Sequence, residues 1–219
     1  MKKLAIIHTT PVTINSLKKL VNQHIPECEI INFLDDSILP QLIKNEGDIS
    51  TVEDRVKQYI IYAEKAGADV ILSACSSIGD IFTEFKAEIG VPVLRIDEPM
   101  IESAVEQADN LGVAATLKTT LKPTINLIRN KAESKNKLIE IESRVADSAY
   151  QKLIEGKEKE HDQILAEVLE KLLGNNDLVV LAQASMARAV KRLPEKKQDK
   201  FLTSPESGIK KVKTLLQNS

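Results

Sequence analysis

Cys75 ends a short aliphatic run, residues 68–74, and stands just before a segment with helical apolar spacing. A thiol at such a junction lies near a helix N-terminus, where the dipole and unbonded backbone N–H groups favour the thiolate. A thiolate there can move a proton or attack as a nucleophile. Ser76 and Ser77 add hydroxyl donors suited to a carboxylate or an enolate-like oxygen. The plainer reading of Cys75 is a small buried apolar side chain; its place at a strand end favours a functional one. His8 ends the first aliphatic run. It is read as a residue that hydrogen-bonds substrate or helps keep Cys75 ionised, or else as a structural histidine with satisfied bonds. Thr9, Thr10 and Thr13 follow the same run, and Thr116, Thr119 and Thr120 follow a later one. Hydroxyls and N–H groups at helix starts suit a small carboxylate without an arginine, and ordinary capping accounts for some of them. Gln183 and Ser185 complete the strand-end set. Cys28 opens a strand, the wrong end for a site, and reads as structural; His24 and His161 fall within helical segments and read as incidental. Three separated histidines without cysteine or carboxylate spacing give no metal signal.

These residues need strands to place them, and the apolar pattern supplies strands alternating with helices. Residues 4–7, 29–34, 68–74, 91–96, 111–115, 138–145, 177–182 and 201–203 read as strands, most of them short aliphatic runs of the kind buried on both faces. Helical spacing fills the intervals. Thr13 is expected to cap the first helix, Ser50 and Glu53 to form a capping box, and Pro123 to open a helix through residue 130. Ser204 and Pro205 are expected to start a C-terminal helix whose face is Ile209, Val212, Leu215 and Leu216. Strand–helix alternation means α/β architecture with parallel sheets.

The two halves resemble each other. The segment from Leu4 to Thr9 aligns with that from Leu111 to Thr116 at an offset of 107, and that from Asp69 to Ala74 with that from Asp177 to Ala182 at 108. The expected fold is therefore two pseudo-symmetric, doubly wound parallel-sheet lobes, residues 1–108 plus 204–219 and residues 109–203. Ligands of such sheets bind beyond the carboxyl ends of the strands, so two facing lobes would enclose the active site in the cleft between them.

Composition excludes other classes. The chain has 219 residues, 30 Lys+Arg against 32 Asp+Glu, and a formal net charge of −2, which gives no field to attract nucleic acid or an anionic membrane. Two cysteines are no disulfide framework. The apolar runs are far too short to cross a bilayer, and the first one, broken at His8, reads as a strand rather than a signal peptide; a soluble cytoplasmic protein is expected. No Gly-x-Gly-x-x-Gly or Walker A loop is present, which disfavours dinucleotide or nucleoside triphosphate use, and there is neither a Cys-x5-Arg phosphatase loop nor a Gly-x-Ser-x-Gly nucleophile elbow.

Five segments together resemble the cofactor-independent aspartate/glutamate racemase superfamily, which includes amino-acid and hydantoin racemases, maleate isomerase and arylmalonate decarboxylase. They are Ile7-His8-Thr9-Thr10, Ala74-Cys75-Ser76-Ser77, the run from Gly112 to Thr116 with Thr119-Thr120, Leu181-Ala182-Gln183-Ala184-Ser185, and the closing Thr203-Ser204-Pro205-Glu206-Ser207. The resemblance covers nearly the whole chain. It implies one active site served by both lobes, no pyridoxal phosphate or other cofactor, and a pair of cysteines that deprotonate and reprotonate the carbon alpha to a carboxylate. Dimers are common in the family. Cys75 matches the first-lobe cysteine.

The second-lobe cysteine is replaced: both the internal repeat and the family motif put Gln183 at its place. A carboxamide neither gives nor takes a proton at ordinary pH, though it can bind a carboxylate or an oxyanion. The leading expectation is an isomerase acting alpha to the carboxylate of a small acid with Cys75 as its catalytic thiol. His8, Thr9, Thr10, Ser76, Ser77, Thr116, Thr119, Thr120, Gln183 and Ser185 form the expected binding set. A single-cysteine decarboxylase and a carboxylate-binding protein without catalysis are the alternatives.

Overall fold

The structure is a computed structural model and describes residues 1–218. Eight strands form two all-parallel sheets. β1 (Lys3–His8), β2 (Glu29–Leu34), β3 (Val70–Ser73) and β4 (Val93–Arg95) lie in the order β2-β1-β3-β4. β5 (Asn110–Ala115), β6 (Glu140–Val145), β7 (Leu178–Leu181) and β8 (Phe201–Thr203) repeat it as β6-β5-β7-β8. Equivalent bonds start and end the central pair in each sheet. Asp69 and Asp177 accept the backbone N–H of Lys3 and Asn110, at 2.7 and 2.9 Å. At the far end the N–H groups of Ala74 and Ala182 donate to the carbonyls of Ile7 and Ala114, each at 2.9 Å.

Period-two alternation gives each central strand two buried faces. In the first sheet Ala5, Ile7 and Ile71 pack on α3 (Glu53–Lys65) and α4 (Gly79–Phe85) through Val56, Ile60, Ile81 and Phe82. Leu4, Ile6, Val70 and Leu72 face α1 (Ile14–His24) and the C-terminal helix through Leu17, Val21, Ile209 and Val212. In the second sheet Ala114, Val179 and Leu181 pack on α8 (Glu158–Leu173) and α9 (Ala187–Val190). Its other face, Leu111, Val113, Leu178 and Val180, meets α5 (Glu98–Gln107) and α6 (Lys118–Ser134). The remaining helices are α2 (Ile38–Lys44), α7 (Asp147–Ile154) and α10 (Ser204–Asn218).

The chain divides into Met1–Glu98 with Pro205–Ser219, and Pro99–Ser204. Each unit is closed by the helix that follows the other unit's last strand. α5 follows β4 yet contributes Met100, Ile101, Ala104 and Val105 to the second core, and α10 follows β8 yet completes the first. Gly208 lets α10 approach, because a Cβ there would come 2.7 Å from Ile96 Cγ1 and 2.8 Å from its carbonyl oxygen.

Local signals were partly redirected. Pro123 lies inside α6, which starts five residues earlier, so Thr119 and Thr120 fall in its first turn rather than in a preceding loop. The hydroxyl of Thr13 does not cap α1; it bonds His8. Ser50 and Glu53 do not form a capping box: α3 has no side-chain cap, and Asp48 instead accepts the Ser50 N–H at 3.0 Å at the start of a 3₁₀ turn.

Candidate active site

The two central strands of the first sheet, β1 and β3, are neighbours from which the chain winds outward in opposite directions, the arrangement that opens a crevice at their carboxyl ends. β1 delivers His8, Thr9 and Thr10, and β3 delivers Cys75. Thr10 is spent on local structure, its hydroxyl accepting the Val12 N–H at 3.5 Å to cap a 3₁₀ turn. Thr9 is 1% exposed, and its Oγ1 finds no hydrogen-bond partner among the described residues.

His8 is fully buried and engaged at both ring nitrogens. Nδ1 lies 2.8 Å from Thr13 Oγ1 and Nε2 lies 2.9 Å from Asn32 Oδ1. Burial pulls its pKa below the ordinary value, with the Asn32 bond opposing. A neutral ring donates from Nε2 to the Asn32 carbonyl oxygen and accepts the Thr13 hydroxyl at Nδ1. Of the two sequence readings, the satisfied structural histidine is the one these bonds describe.

Cys75 is partly exposed, with an extended backbone at φ −133°, ψ 118°. It leads into a 3₁₀ turn, Ser76–Ile78, and only then into α4, so one tight turn separates the thiol from the α-helix expected beside it. Ser73 holds the turn in place: its hydroxyl donates to the Cys75 carbonyl at 3.1 Å and accepts the Cys75 N–H at 3.4 Å. Ser76 and Ser77 are buried in that turn.

An ion triad under this turn, two of its members buried, was missed in the sequence. Arg95, at the end of β4 and 2% exposed, grips Asp97 with Nε and Nη2, both at 3.0 Å, and Asp80 with Nη1 at 2.7 Å. Burial works against its charge, but Asp97 and Asp80 outweigh burial and hold the guanidinium above its ordinary pKa. The guanidinium packs against Gly79, where a Cβ would meet Arg95 Cζ at 2.4 Å. β4 thereby anchors the start of α4 and the Cys75 turn that leads into it. The available signal was an Arg-x-Asp ending an apolar strand, since a charge at a buried position requires a partner.

The second lobe repeats the backbone with different side chains. Gln183 has φ −135°, ψ 137° and also leads into a 3₁₀ turn, Ala184–Met186, so it stands where Cys75 stands. Its Oε1 accepts both the N–H of Thr116, at 2.6 Å, and the hydroxyl of Thr116, at 2.9 Å. Thr116 is 1% exposed. Thr119 Oγ1 is buried without a partner among the described residues, and the Thr120 carbonyl accepts the Thr124 hydroxyl at 2.9 Å. Ser185 lies half-buried in the turn after Gln183. His161, expected to be incidental, is fully buried and holds Asp162 at 2.7 Å; Arg188 of α9 reaches the same carboxylate at 3.2 Å and ties α8 to the segment after Gln183.

Cys28 lies at the amino ends of the first sheet, in an open groove with Lys2, His24 and Asp69. Burial pushes its thiol up, reinforced by Asp69 and Glu29 against a backbone bond from Leu4, so it stays protonated. Among the described residues no three His, Cys, Asp or Glu side chains gather as a metal site, and no helix is long and apolar enough to cross a membrane.

The family model for Asp/Glu/hydantoin racemase matches residues 6–212. A glutamate racemase of Trichodesmium erythraeum is 27% identical over 116 residues, which is 52% of this chain and 42% of that one, so the chain matches less than half the length of this curated relative. Glutamate racemase from Francisella tularensis, solved in complex with D-glutamate, superposes with a TM-score of 0.78 at 19% identity, covering 99% of this chain and 81% of that one. Aspartate racemase from Picrophilus torridus superposes at 0.72 with 18% identity, covering 99% and 95%. At these identities the superpositions establish the fold, while the family model spans nearly the whole chain. By that match, the chain belongs to the Asp/Glu/hydantoin racemase family.

Proposed function

We propose that this protein is a cofactor-independent isomerase that moves the proton alpha to the carboxylate of a small acid, with Cys75 as its one thiol acid–base. A single observation carries this reading. Cys75 and Gln183 occupy the same extended position before a 3₁₀ turn in the two halves, and only one of them can exchange a proton. The thiolate of Cys75 takes the alpha proton, and the carbanion is stabilised by hydrogen-bond donors at the carboxylate. Return of the proton by the same thiol regenerates the substrate; inversion is completed more slowly, when a solvent water gives a proton to the opposite face and Cys75 later releases its own to solvent. Thr9, with a buried hydroxyl lacking a partner among the described residues, is the first-lobe donor best placed in sequence to serve that carboxylate.

A thiol that returns a proton to its own face exchanges hydrogen with solvent without inverting the centre. The enzyme should therefore incorporate deuterium at the alpha carbon of D- or L-aspartate or glutamate, in deuterium oxide, faster than it erodes their enantiomeric purity. Equal rates would require a second acid as effective as Cys75 and would contradict the one-thiol scheme.

Gln183 also favours a second reading, decarboxylation, in which a lone thiol protonates the carbanion left by loss of carbon dioxide. Release of carbon dioxide from a substituted malonate, without alpha exchange of amino acids, would select it. Two free thiols suit a reducing cytoplasmic compartment, and a homodimer is the family expectation we carry forward.

A further inference from the structure

We propose that Gln183 determines specificity by filling, with its own carboxamide oxygen, a carboxylate-oxygen receptor built by Thr116. Removing that oxygen then opens a carboxylate site in the second lobe. The proposal deepens the isomerase reading above, because it concerns which substrate groups the second lobe accepts.

Thr116 follows β5 at its carboxyl end and aims two donors at one point. Its backbone N–H lies 2.6 Å and its hydroxyl 2.9 Å from the same atom, Gln183 Oε1. A backbone amide and a hydroxyl converging on one oxygen is the geometry that receives a carboxylate or an enediolate oxygen. The orientation of the carboxamide follows from chemistry: an N–H only donates, so the oxygen must face Thr116 and the NH₂ must face away. Gln183 therefore presents N–H donors and no acceptor beyond the receptor that it fills.

The first lobe supplies the control. Thr9 is the counterpart of Thr116, equally buried at 1% exposure, and Cys75 is the counterpart of Gln183. A thiol is too short to do what the carboxamide does, and Thr9 Oγ1 is left without a partner among the described residues. One lobe thus keeps its strand-end hydroxyl available, and the other satisfies its own. A rival reading makes the Gln183–Thr116 pair a structural tie, replacing the one that Ser73 provides in the first lobe, since Leu181 stands at the position of Ser73. The two readings differ in what happens when an anion is offered.

The test is a titration of the full-length, ¹⁵N-labelled protein with sodium acetate against sodium chloride at matched ionic strength, following the Thr116 amide resonance. In the wild type the resonance stays still, because its acceptor is already in place. In Gln183→Ala it moves saturably with acetate, and its amide regains the protection from hydrogen exchange that the substitution removed. Gln183→Asn, one methylene too short to reach, responds in the same way and serves if the alanine variant fails to fold. A Thr116 shift of similar size in the wild type, or none in a folded variant, overturns the proposal. The readout is binding at Thr116, so a protein without turnover leaves it intact, and a failed titration leaves the chemistry of Cys75 intact.

Discussion

Arg95 carries a buried charge in the first lobe. Its guanidinium is buried against Asp97, itself 1% exposed, and against Asp80 at the head of α4. Arg95→Met would leave Asp97 as a buried charge without its partner, a loss of about 3–5 kcal/mol in urea unfolding. His8 makes a pH-dependent contribution. Its folded pKa lies below the ordinary 6.5, with burial the main cause, so below pH 6.5 the unfolded chain binds a proton that the folded protein refuses. Stability is therefore full above that pH and falls as pH drops towards the folded pKa. His8→Gln should flatten this limb of the stability curve, as followed by thermal unfolding across pH; an unchanged slope would contradict the assignment. Cys75 and Gln183 were legible because strand-end positions follow from the run of aliphatics before them. The Arg95 triad was not, because Asp80 lies 15 residues away and only the fold brings the two together.

At the scale of elements, α10 is the first lobe's closing piece. Ile209 and Val212 are fully buried on the face of Leu4, Ile6 and Leu72. Ile209→Ala removes buried methyls and should cost about 2–5 kcal/mol in denaturant unfolding; a loss under about 0.5 kcal/mol, the scale of surface substitutions, would mean that α10 does not seal this core. The buried strands were the most readable elements, since short aliphatic runs bounded by polar residues have few alternatives. Helix starts were less readable. Pro123 suggested a beginning, yet α6 starts at Lys118 and absorbs the proline in its interior. Thr13 looked like a cap and became the partner of His8. The Thr13 contact is tertiary and is not visible in a local window. The 3₁₀ turns after Cys75 and Gln183 were hidden as well.

At the scale of the whole molecule, the duplication was legible from offsets of 107 and 108 residues, and the repeated strand order bears it out. The exchange of closing helices was half legible: residues 204–219 were read into the first lobe, but so was α5, which packs in the second core. An amphipathic face shows that a helix packs, but not on which sheet, and α5 and α10 each close the unit other than the one whose last strand precedes them. Two copies of one α/β unit let a single substitution separate their chemistry. One copy keeps a thiol before its turn, and the other keeps a carboxamide bonded to its own strand end. The proposed chemistry follows from that asymmetry. The most direct measurement is the rate of alpha-deuterium incorporation into an amino acid that the wild type exchanges, compared with Cys75→Ser. If Cys75 is the acid–base group, the rate falls by about 10²–10⁴-fold, the usual worth of such a group. Exchange by Cys75→Ser at the wild-type rate would contradict that role.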